Sequence, residues 1–167
     1  MLIIEPTSPR APGTQALLEQ SHALMLSLFS PDACHFLDFD ALASDNIHLF
    51  AARIGTETLG TGALAVKDGY GEVKSMFTSE AARGKGVAAA LLRQIEDKAR
   101  EQNLPMLRLE TGTGLDAAHR LYERNGFTYC GAFGDYETAP ESLFMEKSLT
   151  EATTSDDISD DAESPAK

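Results

Sequence analysis

Residues 72–92 read EVKSMFTSEAARGKGVAAALL, and this stretch of the 167-residue chain predicts both local structure and a binding site. A strand is expected to end near Phe77, residues 78–83 form a loop, and Gly84-Lys85-Gly86 precedes a helix. Glycine has no Cβ, so the backbone there can approach a ligand closely. A helix N-terminus offers unpaired N–H donors and a partial positive charge, to which Arg83 and Lys85 add full charges. The pattern predicts a site for a pyrophosphate group.

On both sides of this stretch, the spacing of apolar residues predicts a series of strands and helices. A helix over Gly86–Gln102 is predicted because apolar residues recur on one face and charged residues on the other. The other expected elements are a first strand from Leu2, a helix over Thr14–Leu28 with Thr14 as N-cap, an ambiguous part-helical segment over residues 30–43, strands over Ile47–Ile54, Thr58–Val66, Glu72–Phe77 and Met106–Glu110, a helix over Asp116–Arg124, and strands over Phe127–Gly131 and Leu143–Lys147.

The order of these elements predicts the fold class. After a first strand and helix, three strands form a tight meander, and a strand–helix–strand unit follows them. Such an order gives a central mixed, mostly antiparallel sheet flanked by helices, which is an α+β (mixed α/β) fold.

Composition limits the domain count and the classes of partner. Residues 1–149 are expected to form one domain, whereas residues 150–167 carry too few large apolar side chains to fold and are expected to be a disordered acidic tail. The tail carries −5 of the overall charge of −12, leaving −7 for the domain. An acidic surface argues against a nucleic-acid partner. No stretch has the length of a membrane helix or a signal peptide, and two widely spaced cysteines fit a cytoplasmic protein.

A second motif lies on the helix after residue 116, where Leu121-Tyr122 is followed by Gly126-Phe127 at the start of a strand. Arg83, Gly86 and Ala88 also match the pattern of Arg or Gln, two residues, Gly, one residue, then Gly or Ala at a helix start. Together these motifs resemble the GNAT superfamily of acyl-CoA N-acyltransferases, over roughly Leu2 to Leu149. Residues 109–112 (LETG), 133–136 (FGDY) and 144–147 (FMEK) look more closely like a bacterial GNAT subfamily whose substrates are not assigned.

The resemblance implies acetyl-CoA as the acyl donor and no metal. It implies that the strand ending at Phe77 parts from the strand over residues 106–110, which frees backbone groups for the pantetheine arm at Met76, Phe77 and Thr78. It also implies that the pyrophosphate is surrounded by the amides of Arg83, Gly84, Lys85, Gly86, Val87 and Ala88. One position departs from the family pattern: many members have Asn three residues before the position of Ala118, and this chain has Leu115.

Tyr122 is the expected general acid, since the resemblance places it facing the thioester sulfur. A substrate amine is mostly protonated at neutral pH, so direct attack on the acetyl group also requires a base. Glu72 is the first candidate for that base and Glu110 the second. No Ser-His-Asp or Cys-His pattern suggests an acyl-enzyme, and the four histidines have no metal spacing.

The acceptor is expected to be the primary amine of a small molecule, because the chain has little beyond the core fold with which to bind a protein. Candidate acceptor-binding residues are Glu110, His35 and Asp38 after the first helix, and Asp135 and Tyr136 in a late loop. Membrane and nucleic-acid partners are not expected, and a homodimer stays open.

Two other functions are compatible with parts of the sequence. A GNAT-type module could hold acyl-CoA as a regulatory ligand without turnover, although the presence of Tyr122 weighs against this. Residues 84–89 also fit G-x-G-x-x-A, which favours a dinucleotide-dependent oxidoreductase. In that fold, however, the first glycine directly follows a strand, and here residues 78–83 intervene.

Overall fold

The computed structural model describes residues 1–150, so all but the first residue of the predicted acidic tail lies outside the described residues. It contains seven strands, β1 Leu2–Pro6, β2 Ile47–Ile54, β3 Glu57–Val66, β4 Gly71–Thr78, β5 Met106–Gly112, β6 Thr128–Cys130 and β7 Ser142–Ser148. Four α-helices accompany them in the described part, α1 Pro12–Leu28, α2 Phe39–Leu42, α3 Val87–Glu101 and α4 Asp116–Arg124. None of these helices is long and apolar enough to cross a membrane.

The strands form one sheet in the order β1-β2-β3-β4-β5-β7-β6. Neighbouring strands are antiparallel except for β4 and β5, which are parallel. The prediction of a mixed, mostly antiparallel sheet with helices is therefore confirmed. A doubly wound parallel sheet, which a dinucleotide-binding fold of the type considered above requires, is absent from the described residues.

Helix α3 packs on the sheet through an apolar face in which Leu91, Leu92 and Ile95 are almost completely buried. Two glycines of β3 allow this close approach. A Cβ added at Gly60 would lie 2.8 Å from a Val87 methyl group, and one at Gly62 would lie 3.1 Å from the Ile95 Cδ1. The close packing fixes the N-terminus of α3 beside the end of β4.

Two local expectations differ from the structure. Helix α1 begins at Pro12 and not at Thr14, because proline lacks an N–H and is well suited to the first turn of a helix. Thr14 is buried instead, and its hydroxyl lies 3.0 Å from that of Thr7. The ambiguous segment after α1 forms a 3-10 turn over residues 31–33 and the short helix α2, whose N-cap is Asp38.

Candidate active site

Strands β4 and β5 separate soon after they meet. Two residue pairs join them, Gly71 with Leu107 and Glu72 with Arg108, whereas β4 continues to Thr78 and β5 to Gly112. A bulge in β4 accompanies the separation, where Ser75 has a left-handed φ of 57° and the register with β3 shifts. The Thr61 hydroxyl donates a 2.9 Å hydrogen bond to the Ser75 carbonyl and so fixes the bulge.

The space between the separated strands is a cavity of about 160 Å³, here termed the inner cleft. Its walls come from both strands, from α4 and from the end of α1, and they include Met76, Phe77, Glu110, Gly112, Leu115 and Tyr122. Leu115 is the N-cap of α4 and makes no side-chain capping bond, so this position presents an apolar side chain to the cleft.

Beyond the end of β4, the chain forms an exposed glycine-rich turn before α3. Gly84 and Gly86 both have φ of +79°, a conformation that L-residues rarely adopt, and Gly86 is the N-cap of α3. Within residues 1–150, the amides of Gly84 to Ala88 donate no hydrogen bond to the protein. The Arg83 amide differs, because it donates to the Glu80 carbonyl at 3.3 Å. Five of the six amides expected to bind a pyrophosphate are therefore free to do so.

The Arg83 side chain lies back over β4. Its Nε donates to the Thr78 carbonyl at 3.3 Å, and its guanidinium carbon is 6.0 Å from the centre of the Phe77 ring. This positive charge is thus held between the inner cleft and the turn, which suits the diphosphate of a CoA-type ligand.

Tyr122 lies on α4 with 7% of its surface exposed, and it lines the inner cleft. Phe127 positions its ring by an edge-to-face contact with centroids 5.7 Å apart, and the Phe127 amide donates to the Tyr122 carbonyl. Burial raises the pKa of Tyr122 far above its usual range, and the negative charge of Glu110 raises it further. Its hydroxyl therefore holds its proton at neutral pH, as a general acid must.

Glu110 lies on β5 in the wall of the same cleft, and its Oε2 accepts a 2.9 Å hydrogen bond from the Ser142 hydroxyl. Burial raises the pKa of Glu110, although the Ser142 hydrogen bond and the charges of His35 and Lys74 oppose the rise. A carboxylate with a raised pKa is a stronger base than an ordinary surface glutamate.

Glu72, the first candidate base, is not in the wall of the inner cleft. It is 3% exposed and lines a larger, adjoining cavity of about 990 Å³, here termed the outer cavity. Its Oε2 accepts a 2.5 Å hydrogen bond from the Tyr136 hydroxyl and lies 3.4 Å from the Lys74 ammonium. The two candidate carboxylates thus have different surroundings, with Glu110 in the inner cleft with Tyr122 and Glu72 hydrogen-bonded to Tyr136 and Lys74.

The outer cavity brings together three of the predicted acceptor-binding residues, His35, Asp135 and Tyr136. It adjoins the inner cleft through residues that line both spaces, namely Ala33, His35, Phe36, Lys74 and Glu141. Asp38 lines neither space, because its carboxylate caps α2 by accepting the Ala41 amide at 2.8 Å.

Sequence reasoning missed Lys74 and Tyr70, which line the outer cavity, and Phe133, which packs against Tyr70. Lys74 had a usable signal, since it is two residues from Glu72 and residues at that spacing share one face of a strand. Tyr70 and Phe133 had no such signal, because they lie far apart in the chain. Their rings meet edge to face at 5.6 Å in the folded protein, where the Arg108 guanidinium also lies 4.9 Å from the Tyr70 ring. Among the described residues, no group of three His, Cys, Asp or Glu side chains is arranged to hold a metal ion.

Known proteins share this architecture. Residues 17–127 match the sequence pattern of the acetyltransferase (GNAT) family. The chain is 40% identical over 144 residues to a protein of Azospirillum brasilense named IAA acetyltransferase, covering 85% of this chain and 94% of that protein. It is also 36% identical over 154 residues to the N-acetyltransferase YedL of Escherichia coli, covering 90% and 97%.

Solved structures agree with these relatives. An acyl-CoA N-acyltransferase structure from Klebsiella pneumoniae superposes with a TM-score of 0.78 at 33% identity, covering 89% of this chain and 98% of that one. A GNAT acetyltransferase from Elizabethkingia anophelis, solved with acetyl-CoA bound, shares the fold with a TM-score of 0.62 at 18% identity, covering 89% and 98%. With the parted strands, the free amides at the start of α3 and Tyr122 in the cleft, these matches show that the chain belongs to the GNAT family and is an acyl-CoA-dependent acetyltransferase.

Proposed function

We propose that this protein transfers the acetyl group of acetyl-CoA to the primary amine of a small molecule by direct attack. The observation that carries the proposal is the inner cleft itself, where the parted ends of β4 and β5 enclose the buried Tyr122, with Glu110 in the same wall. Two free cysteines, Cys34 and Cys130, are compatible with a reducing compartment, and we propose the cytoplasm.

The residues present fit acetyl-CoA. The edge of β4 that faces away from β3 has no strand to pair with beyond Glu72, so backbone groups at Met76, Phe77 and Thr78 would hold the pantetheine arm. The free amides of Gly84 to Ala88, with the charges of Arg83 and Lys85, would hold the diphosphate. When bound, acetyl-CoA supplies an acetyl group already activated as a thioester.

Two residues would move protons. Glu110 takes a proton from the acceptor ammonium, directly or through a water molecule, and so makes the amine nucleophilic. Tyr122 gives its proton to the departing thiolate. Its raised pKa keeps the phenol protonated at neutral pH but makes it a weaker acid, so the transfer is driven by the charge that develops on the sulfur. Glu72 is the alternative base, since both of its interactions described above use Oε2 and leave Oε1 without a partner among the described residues.

The outer cavity would receive the acceptor. Its lining contains the carboxylates of Asp135, Glu137 and Glu141 near the His35 and Tyr136 rings, which suits a compound with an ammonium group. A concave space of this size suits a small-molecule amine.

Substituting Tyr122 with Phe tests the chemistry. We expect kcat to fall by about a hundredfold, because the thiolate would leave without its proton donor, while acetyl-CoA affinity changes little. The measurements are thiol release with pools of amines and calorimetry with acetyl-CoA. Tyr129→Phe is the matched control, since Tyr129 is 51% exposed on β6.

The possible results of these measurements distinguish between the candidate functions. Undiminished turnover in Tyr122→Phe would remove the role of this residue. Acetyl-CoA binding without thiol release for any acceptor would favour a regulatory module that holds acyl-CoA. Absence of acetyl-CoA binding by the folded protein would refute the proposal.

A further inference from the structure

Tyr136 connects three distant segments at the boundary between the inner cleft and the outer cavity. Its ring contacts His35 from the segment after α1, with centroids 5.2 Å apart, and it also packs against Phe133 and Phe144. Its hydroxyl donates to Glu72 on β4 at 2.5 Å and accepts from the Lys74 ammonium at 2.8 Å. The segments joined in this way form walls of the outer cavity.

Lys74 has no donor left for a ligand. An ammonium group has three donors, and this one donates to the His35 carbonyl at 2.9 Å, to the Tyr136 hydroxyl and to Glu72. The side chains of Lys74 and Glu72 are only 11% and 4% exposed, so the pair is shielded from solvent. All three Lys74 donors and the Tyr136 hydroxyl are thus used within the network, which is the arrangement of a support, whereas Glu72 Oε1 accepts no hydrogen bond from the described residues.

The segment 131–141, between β6 and β7, has few backbone bonds of its own to hold it. Among the described residues its interior bond runs from the Tyr136 amide to the Phe133 carbonyl at 3.0 Å, and the other two involve its end at Ala139 and Glu141. The side chain of Tyr136 is therefore the main polar attachment between the middle of this segment and the sheet.

We propose that Tyr136 is a positioning residue for the acceptor. Its hydroxyl attaches segment 131–141 to Glu72 and Lys74 and thereby sets the distance between the walls of the outer cavity. Glu72 is the anchor of this attachment and does not take the acceptor's proton. The proposal rests on the proposed function for its kinetic consequence, but its structural part stands apart from turnover.

The test is Tyr136→Phe, which keeps the ring and removes both hydrogen bonds of the hydroxyl. We expect the acceptor KM to rise about tenfold, with kcat within about twofold of the unaltered protein and the acetyl-CoA KM unchanged. The acidic limb of the profile of kcat/KM against pH should keep its position. Tyr129→Phe, with its exposed tyrosine on β6, controls for the loss of a hydroxyl elsewhere.

Glu72→Gln provides a second test, because its amide oxygen can still accept from Tyr136 while the base is removed. The expected result is a smaller rise in acceptor KM than in Tyr136→Phe, because the attachment is kept, with the acidic limb retained. Loss of that limb in Glu72→Gln, or a fall in kcat without a change in KM in Tyr136→Phe, would overturn the proposal. If Glu72→Gln does not fold, owing to the unpaired charge of buried Lys74, Tyr136→Phe carries the test alone.

Hydrogen exchange makes the proposal testable even if no acceptor supports turnover. In Tyr136→Phe the backbone amide of residue 136, which donates to the Phe133 carbonyl, should exchange its hydrogen about tenfold faster than in the unaltered protein. Unchanged exchange would show that the hydroxyl attaches nothing. Failure to release thiol with any amine would instead count against the proposed function.

Discussion

Glu72 and Glu110 lie on neighbouring strands of the sheet, yet their surroundings give them different chemistry. Glu72 shares one oxygen with Lys74 and Tyr136, and it lies outside the inner cleft. Glu110 has a single hydrogen bond to a hydroxyl, lies in the cleft with Tyr122, and has a pKa raised by burial. We therefore propose that Glu110, and not Glu72, takes the acceptor's proton.

Replacing Glu110 with Gln should lower kcat/KM by about a hundredfold or more and abolish the acidic limb of its pH profile. In the unaltered protein that limb should lie above the range of an ordinary glutamate, since the folded pKa is raised. Rate profiles across pH check both expectations. Glu57→Gln, at an exposed position at the start of β3, is the control. An acidic limb that persists in Glu110→Gln would exclude Glu110 as the base.

The same variant has a predictable effect on stability. A carboxyl group with a raised folded pKa favours folding while protonated, and that contribution is lost as pH rises through the folded pKa. Glu110→Gln should therefore be as stable as the unaltered protein at about pH 7, or more stable, with no advantage below about pH 4. Thermal unfolding at the two pH values measures the difference.

The sequence predicted single residues well where a motif fixed them locally. The Gly84–Gly86 turn lies directly before α3 and Tyr122 lies on α4, as expected, because local sequence patterns predict both helices. It could not rank Glu72 against Glu110. Their difference arises from Tyr136 and Ser142, residues far away in the chain that approach only in the folded sheet.

At the scale of elements, α3 and the turn before it form a unit whose conformation depends on glycine. Gly86 ends the turn in a left-handed conformation, and a Cβ there would meet no atom within 4 Å. The backbone angle, and not crowding, therefore requires glycine at this position.

Gly86→Ala should cost about 1 kcal/mol of stability, because an L-residue is strained at this φ. It should also weaken acetyl-CoA binding about tenfold, since relaxation of the turn would redirect the free amides. Gly55→Ala is a matched control in the β2–β3 turn, with φ of +60° and no atom within 4 Å of the added Cβ. Calorimetry and thermal unfolding check this, and equal loss of affinity in both variants would contradict it.

Most elements were predictable from periodicity alone, including α3 and the meander of β2 to β4. The strand order was not predictable in this way. Strand β7 lies between β5 and β6, and the insertion of a late strand depends on contacts that no local pattern encodes. The short helix α2 was ambiguous for a related reason. Its formation depends on one capping bond from Asp38, a residue that could equally have faced a ligand.

At the scale of the whole molecule, the described fold closes at its last strand. Leu149 is 4% exposed, and its amide donates to the Pro105 carbonyl at 2.8 Å. The composition of residues 150–167 predicts that they add nothing to this core.

Truncation after Thr150 should accordingly leave the melting temperature within about 2 °C of the full chain, and kcat/KM unchanged at physiological salt. At low ionic strength, a cationic acceptor should associate more slowly with the truncated protein, which lacks a charge of −5. Thermal unfolding and initial rates at two salt concentrations check these expectations. A large drop in melting temperature would show that the segment belongs to the folded unit.

The two residue pairs that connect β4 to β5 make the centre of the sheet an interrupted seam between two groups of strands. A pantetheine chain lodged in that seam would supply hydrogen-bond partners that the polypeptide leaves out. Acetyl-CoA would then complete the hydrogen bonding at the centre of the sheet. The free energy of unfolding would therefore depend on the acetyl-CoA concentration, through a single line of backbone groups.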